Sequence, residues 1–343
     1  MTNLLLFYLT NNDRYFVFDK FILNLQKVQK LSSVLLLIVN TNPDSSKYEE
    51  VLSKTNINYK CVHVDCPKWD YLPKVRYAIN FAKANQIKYI MKCDNDIIIP
   101  VYTFDYMLNN LELLDTNLSL SPSLSTGIPS VEYFIDSFFS EEEVLSIRNE
   151  FKRCTFFEQK DIFDYRPLNT CSIESTAWDY NMYFSKLQHM SNTMTAINNN
   201  GKTSSGHNKF YLGNHPIRHG FGNSLINDYI IKHRDEFFKD KECSILDEKF
   251  PYLCDMCFLI STYNYDRLIH IDNLIIDGCD EVPLNRYAWN NNLKHLIVKG
   301  GYAIHITYNW RWFLNNIDGG SNIEKPTEDI LTYEEDFINR LYS

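Results

Sequence analysis

Through the first hundred positions, short apolar runs alternate with amphipathic stretches. Leu4–Leu9 and Val34–Val39 are continuously apolar, as strands buried on both faces of a parallel sheet must be. Tyr59–Val64 reads as a third strand. Between them, Phe16, Phe18, Phe21, Ile22, Leu25 and Val28 recur at helical spacing. A short helix is expected near Tyr48–Ser53, and a longer one over Leu72–Ala84 with Pro73 at its start. The stretch Lys88–Pro100 then climbs in apolar character to Cys93, breaks at Asp94-Asn95-Asp96, resumes over Ile97–Ile99 and is stopped by Pro100. This order predicts an α/β fold: a doubly wound, mostly parallel sheet with helices on both faces and right-handed crossovers.

Beyond residue 100 the spacing predicts a helix over Tyr102–Leu114 and a strand over Leu118–Leu124. Gly127-Ile-Pro129 marks a break. Ser140-Glu-Glu-Glu143 caps a helix running to about Phe151, with acidic side chains where the helix dipole favours them. Arg153–His219 is polar, aromatic and irregular, with a flexible-looking Thr203–Asn208, and suits an insertion or lid. A helix is expected over Leu225–Phe238, a strand over Cys254–Thr262, a loop over Asp277–Glu281 and a helix over Val282–Trp289. Leu296–Lys299, Gly300-Gly301 and Tyr302–Tyr308 read as strand, turn and strand. Thr327–Leu341 completes the pattern as a capped amphipathic helix.

Composition narrows the chemistry. At 45% hydrophobic residues, the 343-residue chain can bury a large core and is not disordered. A net charge of −9 disfavours avid nucleic-acid binding, which needs a basic footprint. The nine cysteines are scattered, as in a reduced compartment. Cys254-x-x-Cys257 has redox or zinc spacing, but no second pair completes a site, so buried strand thiols are the plainer reading. No apolar run is long enough to cross a bilayer, and the N-terminus reads as a first strand. A cytoplasmic protein is expected.

The chemistry concentrates at Asp94 and Asp96. Carboxylates at the carboxyl end of a buried strand sit where open α/β sheets bind ligands, and at i and i+2 they can reach one hard cation, Mn²⁺ or Mg²⁺. The alternative is a solvated Asp-Asn-Asp turn. The loops after the other strands, holding Thr10, Asn11, Asn40, Asp44 and Asp65, fall on the same sheet edge. Thr10–Asp13 also reads as a helix-capping turn. Lys74 and Arg76 can hold diphosphate oxygens or form the solvated face of their helix. No glycine-rich phosphate loop is present.

These residues resemble a known family. The strand–helix alternation, Tyr71–Asn80 ahead of Tyr89–Asp96, and a strand ending in Asp-x-Asp are similar to the donor half of a GT-A-fold glycosyltransferase of the family-2 kind. The resemblance implies a nucleotide-sugar-binding, Rossmann-like half over 1–125. It implies an acceptor-side half over 126–343, carrying an insertion at about 150–220 and the C-terminal helix. The two pack as one continuous catalytic domain. It makes Asp94 and Asp96 metal-binding, with Asp96 direct and Asp94 acting through water or the ribose. His305 on a late strand resembles a third metal ligand, or is a core histidine. Asp280, with Glu281 second, resembles the catalytic base, although both also suit a helix start. Asn40-Thr-Asn-Pro-Asp44 departs from the usual acidic motif after the second strand. Trp178, Trp289, Trp310 and Trp312 are candidates for stacking on sugars.

The expected activity is therefore metal-dependent transfer of a sugar from a nucleotide-sugar donor, first of all a UDP-sugar, to a hydroxyl on a glycan, protein or lipid-linked acceptor. A DNA-modifying glycosyltransferase of a phage or virus is an alternative that the acidic charge disfavours. A nucleotidyltransferase, or a non-catalytic glycan-binding relative, represents a different class.

Overall fold

The structure, a computed structural model, describes residues 3–67, 70–126, 130–153, 220–246, 253, 256–270, 281–306 and 328–343. The chain forms two compact units, Met1–Ser130 with Phe238–His305, and Val131–Phe237 with Ile306–Ser343.

The first unit is built on a nine-stranded sheet. Its first four strands are β1 (Leu4–Thr10), β2 (Val34–Asn40), β3 (Asn58–His63) and β4 (Tyr89–Asp94). They alternate with helices α1 (Tyr15–Leu25), α2 (Ser46–Leu52) and α3 (Tyr71–Ala84), as the apolar pattern predicts. All four are parallel, in the order β3-β2-β1-β4. The chain thus winds outward from β1 to β3, then returns to place β4 on the other side of β1. That reversal is a switch point, where loops diverge to the two sheet faces and leave a crevice outside the strand ends.

After β4, the short β5 (Ile97–Ile98), α4 (Val101–Asn109) and β6 (Ser119–Leu124) follow. The expected Tyr102–Leu114 helix ends earlier, and a 3₁₀ turn covers Leu111–Asp115. Both Asn110 and Asn117 turn a side-chain amide back onto a carbonyl four residues earlier, a local bond that competes with helix continuation.

Three later strands join the same sheet: β7 (Ser244–Leu246), β8 (Cys257–Ser261) and β9 (His295–His305). Strand β8 runs antiparallel between β4 and β6, and β9 runs parallel to β6. Six strands (β1, β2, β3, β4, β6 and β9) therefore point one way in a mixed sheet.

The core lies on both sheet faces. On one, Tyr8 meets Phe18 and Phe21 of α1 in edge-on and tilted ring contacts. On the other, α3 buries Val75, Ala78, Ile79 and Ala82. Full burial of one large apolar side chain such as Phe7 is worth about 1.5–3 kcal/mol.

Gly300-Gly301 is not the turn that the sequence suggests. Strand β9 continues through it, while its register against β6 jumps from Pro122↔Val298 to Ser123↔Tyr302. Gly300 has φ +81°, and a Cβ there would lie 2.5 Å from the Glu242 carbonyl oxygen. The pair makes a bulge that needs glycine. Cys257 is buried on β8, and its partner in the Cys-x-x-Cys spacing, Cys254, lies outside the described residues.

The second unit is helical where described. It holds α5 (Ser130–Phe138), α6 (Glu141–Arg153), α7 (Gly220–Lys232), α8 (Arg234–Phe238) and, after α9 (Thr262–Leu268) and α10 (Glu281–Asn290) of the first unit, α11 (Glu328–Leu341). The expected capping box is present. Glu143 N–H donates to Ser140 Oγ (3.3 Å), and Ser140 N–H donates to Glu143 Oε2 (3.1 Å). Glu143 Oε1 also accepts from Lys232 Nζ at 2.6 Å and meets His233 Nε2 at 2.6 Å. These bonds outweigh burial and hold its carboxyl down at about 2. Among the described residues no helix is long and apolar enough to cross a membrane.

Candidate active site

Strands β1 and β4 carry the site at the switch point, because Leu9 lies beside Asp94 in their parallel register. Strand β4 ends at Asp94, Asn95 and Asp96 turn, and β5 leaves antiparallel to the end of β9. Ile97 pairs with His305 across that ladder. The pairing brings His305 Nε2 to 3.4 Å from Asp96 Oδ2. On the other side of the ring, Nδ1 lies 2.6 Å from Thr126 Oγ1, and His305 N–H donates to Ser125 Oγ at 3.0 Å. A hydroxyl at Nδ1 fixes the ring plane and aims Nε2 at the carboxylate, as outer partners do for metal-binding imidazoles.

The loop after β1 reaches the same turn. Asn95 Nδ2 donates to Asp13 Oδ1 at 2.6 Å, and the Tyr8 hydroxyl donates to the Asn95 carbonyl at 3.4 Å. Arg14 Nη1 lies 3.5 Å from Asp13 Oδ2 and 3.9 Å from Asp96 Oδ2. Arg14 and Asp96 are both buried, at 7% and 8% exposure.

Asp94 faces a second group of cations, on the sheet face that α3 covers. Lys74 is buried there, with Nζ 4.4 Å from the centre of the Tyr71 ring. Lys92, two residues before Asp94 on the same strand face, is fully buried. Its Nζ lies 5.4 Å from the Tyr71 ring centre and 5.9 Å from that of Phe258. Burial lowers the Lys74 pKa from its ordinary value, Cys66 and Asp94 oppose the shift, and Lys92 adds to it. Aromatic faces attract such cations away from water.

Thr10, Asn40 and Asp44 join in one polar network. Asn40 Nδ2 donates to Asn12 Oδ1 at 2.7 Å and to the Asp44 carbonyl at 3.1 Å. Asn12 Nδ2 donates to that carbonyl at 2.6 Å, and Asn12 has φ 70°, a conformation asparagine tolerates better than most residues. Thr10 Oγ1 bonds the Tyr48 hydroxyl and accepts from Asn12 N–H. Thr10–Asp13 supplies no side-chain cap to α1, whose N-cap is Arg14. Asp44 instead accepts from Ser46 N–H at 2.9 Å at the start of α2, and its carboxyl pKa is lowered first by the Ser46 side chain and then by this backbone bond.

Arg76 is exposed, because two residues along α3 turn it about 200° from Lys74. Asp65 is exposed beyond the end of β3. Asp280, Trp178, Trp310 and Trp312 lie outside the described residues. Glu281 is the first residue of α10 and Trp289 lies within it; their side chains are also outside the described residues. Arg14, Asp13, Tyr71, Lys92 and Thr126 were not expected at the site. Lys92 had a signal: a lone charge inside an apolar strand.

Among the described residues, no three His, Cys, Asp or Glu side chains converge as a ready-made metal cage. Asp96 and His305 converge as a pair. Such a carboxylate–imidazole pair fits a divalent ion that takes its remaining ligands from water and phosphate oxygens.

No protein-family model and no curated protein matches the chain. Among solved structures, residues 1–349 of S. aureus TarS are similar at TM-score 0.30 and 13% identity, covering 36% of each chain. TarS 1–349 in complex with UDP-GlcNAc matches at TM-score 0.29 and 14% identity, over 36% of this chain and 34% of that one. A cytidylyltransferase from Leptospira borgpetersenii matches at TM-score 0.29 and 14% identity, over 36% of this chain and 54% of that one. The present chain thus spans about a third of the TarS chains and about half of the cytidylyltransferase.

Proposed function

We propose that this chain is a metal-dependent glycosyltransferase of the GT-A kind, which moves a sugar from a nucleotide-sugar donor to a hydroxyl acceptor. The observation that carries the reading is the 3.4 Å approach of His305 Nε2 to Asp96 Oδ2 at the sheet's switch point. Asp96 and His305 hold the ion, Mn²⁺ or Mg²⁺, with Asp94 acting through water or on the ribose. When bound, the ion supplies charge neutralisation to the departing nucleoside diphosphate. Lys74 and Lys92 add positive potential behind Asp94. The Thr10, Asn12, Asn40 and Asp44 network fixes the two loops that flank the nucleoside. Asp280, with Glu281 second, removes the acceptor's hydroxyl proton in an inverting reaction. The donor is first of all a UDP-sugar, and the acceptor a glycan, protein or lipid-linked hydroxyl.

Thermal-shift titration with UDP, GDP, CMP and their sugar conjugates, with and without Mn²⁺, tests the reading. One nucleotide should raise Tm, and more so with Mn²⁺. Absence of any stabilisation, or its survival in Asp96→Ala, refutes the metal-diphosphate site. Hydrolysis of one nucleotide sugar then separates an enzyme from a binding protein.

A further inference from the structure

Arg14 places a permanent positive charge 3.9 Å from the carboxylate that the proposed function gives to a metal ion. A guanidinium cannot shed its proton at any physiological pH, so the charge does not relax when a second cation arrives. Its side chain is 8% exposed and that of Asp96 12%, so water screens their interaction poorly. Asp13 holds the guanidinium in place at 3.5 Å and also grips Asn95, the residue between the two site carboxylates. Asp13, Arg14, Asn95 and Asp96 thus form a closed ring of contacts with its own counter-ion.

We propose that Arg14 is an internal counter-cation of Asp96, which competes with the divalent ion while the donor is absent and transfers to the diphosphate when the donor binds. The inference rests on the glycosyltransferase reading and adds an order to it. A free ion meets a carboxylate that already has a permanent positive charge 3.9 Å away. A metal-bound nucleoside diphosphate brings negative oxygens that suit a guanidinium fork better than one shared carboxylate at 3.9 Å does. Arg14 then turns from a rival of the metal into a ligand of the substrate, and the ion and donor enter together rather than in sequence. Arg14 is a positioning residue for Asp96 before the donor binds.

Arg14→Gln and Arg14→Lys, each checked for folding by circular dichroism and melting, provide the test. Mn²⁺ alone is titrated by the loss of its free electron paramagnetic resonance signal, and UDP with saturating Mn²⁺ by calorimetry. Arg14→Gln should bind Mn²⁺ alone about tenfold more tightly than the wild type and UDP with Mn²⁺ about tenfold more weakly. Arg14→Lys, which keeps the charge but loses the fork, should match the wild type for Mn²⁺ alone and fall between the wild type and Arg14→Gln for UDP with Mn²⁺. A merely structural arginine would weaken both or change neither, and either outcome in folded Arg14→Gln overturns the proposal. If the wild type itself shows no Mn²⁺-dependent UDP binding, the functional reading falls and this one with it. Wild-type binding with unchanged variants overturns only the role of Arg14.

Discussion

His305 Nε2 meets Asp96 Oδ2 at 3.4 Å: Asp96 lies in the turn just before β5, and His305 ends β9, the strand that β5 pairs. Neither side chain is aimed by its own strand alone. Thr126, one residue past Ser125 beyond β6, sets the imidazole's far nitrogen at 2.6 Å. His305→Ala should weaken Mn²⁺-dependent nucleotide binding at least about tenfold, or about 1.4 kcal/mol, with Tm changed by only a few degrees. Thr126→Val should lose part of that affinity, and calorimetry of both variants checks the ranking.

Asp13 is expected to matter through Asn95. Its 2.6 Å bond ties the loop after β1 to the turn after β4, and the acceptor is charged. Asp13→Ala should destabilise the protein by about 1.5–3 kcal/mol. Hydrogen exchange should quicken in residues 94–98 more than in β1 or β2.

Lys92 is fully buried, with its ammonium against the Tyr71 and Phe258 rings and Asp94 two residues on along the same strand face. Lys92→Met removes one charge of a buried group that includes Asp94 and should therefore lower Tm. If the buried charge serves the diphosphate, the same variant should bind UDP with Mn²⁺ several-fold more weakly. Equal binding by the two proteins would remove Lys92 from the site.

His295 gives a pH dependence of stability with a defined sign. Its Nδ1 lies 2.7 Å from Ser119 Oγ, and Nε2 has no hydrogen-bond partner among the described residues. Burial pushes its pKa down to about 3, from an ordinary value of about 6.5. The unfolded chain takes up the proton first as pH falls. The stabilising contribution is full above about pH 6.5 and is lost down to about pH 3, at up to about 1.4 kcal/mol per unit. Urea melts between pH 7 and 4 should show this slope, and His295→Gln should flatten it.

Much of the fold was legible in the sequence, because strands buried on both faces write themselves as unbroken apolar runs. Leu4–Leu9 and Val34–Val39 could be read directly. The order of strands in the sheet, and with it the switch point beside β1, came from the structure. The helix ending at Asn109 was less visible, since its termination depends on side-chain amides that also occur inside helices. At the candidate site, Asp94 and Asp96 stood out because they follow an apolar run, whereas His305 was named only through the family resemblance. Arg14 and Thr126 were not legible, since each acts through a partner remote in sequence. Arg76 looked like the equal of Lys74 until the helical turn sent it to solvent.

The bulge at Gly300-Gly301 sets the phase of everything after it. Val298 and Tyr302 are four positions apart and would share a face in a regular strand, yet they pair with consecutive residues of β6 and so lie on opposite faces. An odd number of inserted residues inverts the parity of the strand end. His305 reaches Asp96 by virtue of that inversion. A one-residue deletion at the glycine pair, touching no site residue, would swap which side chains of the final segment face the carboxylates, and the imidazole would be lost from the site as completely as by its own substitution.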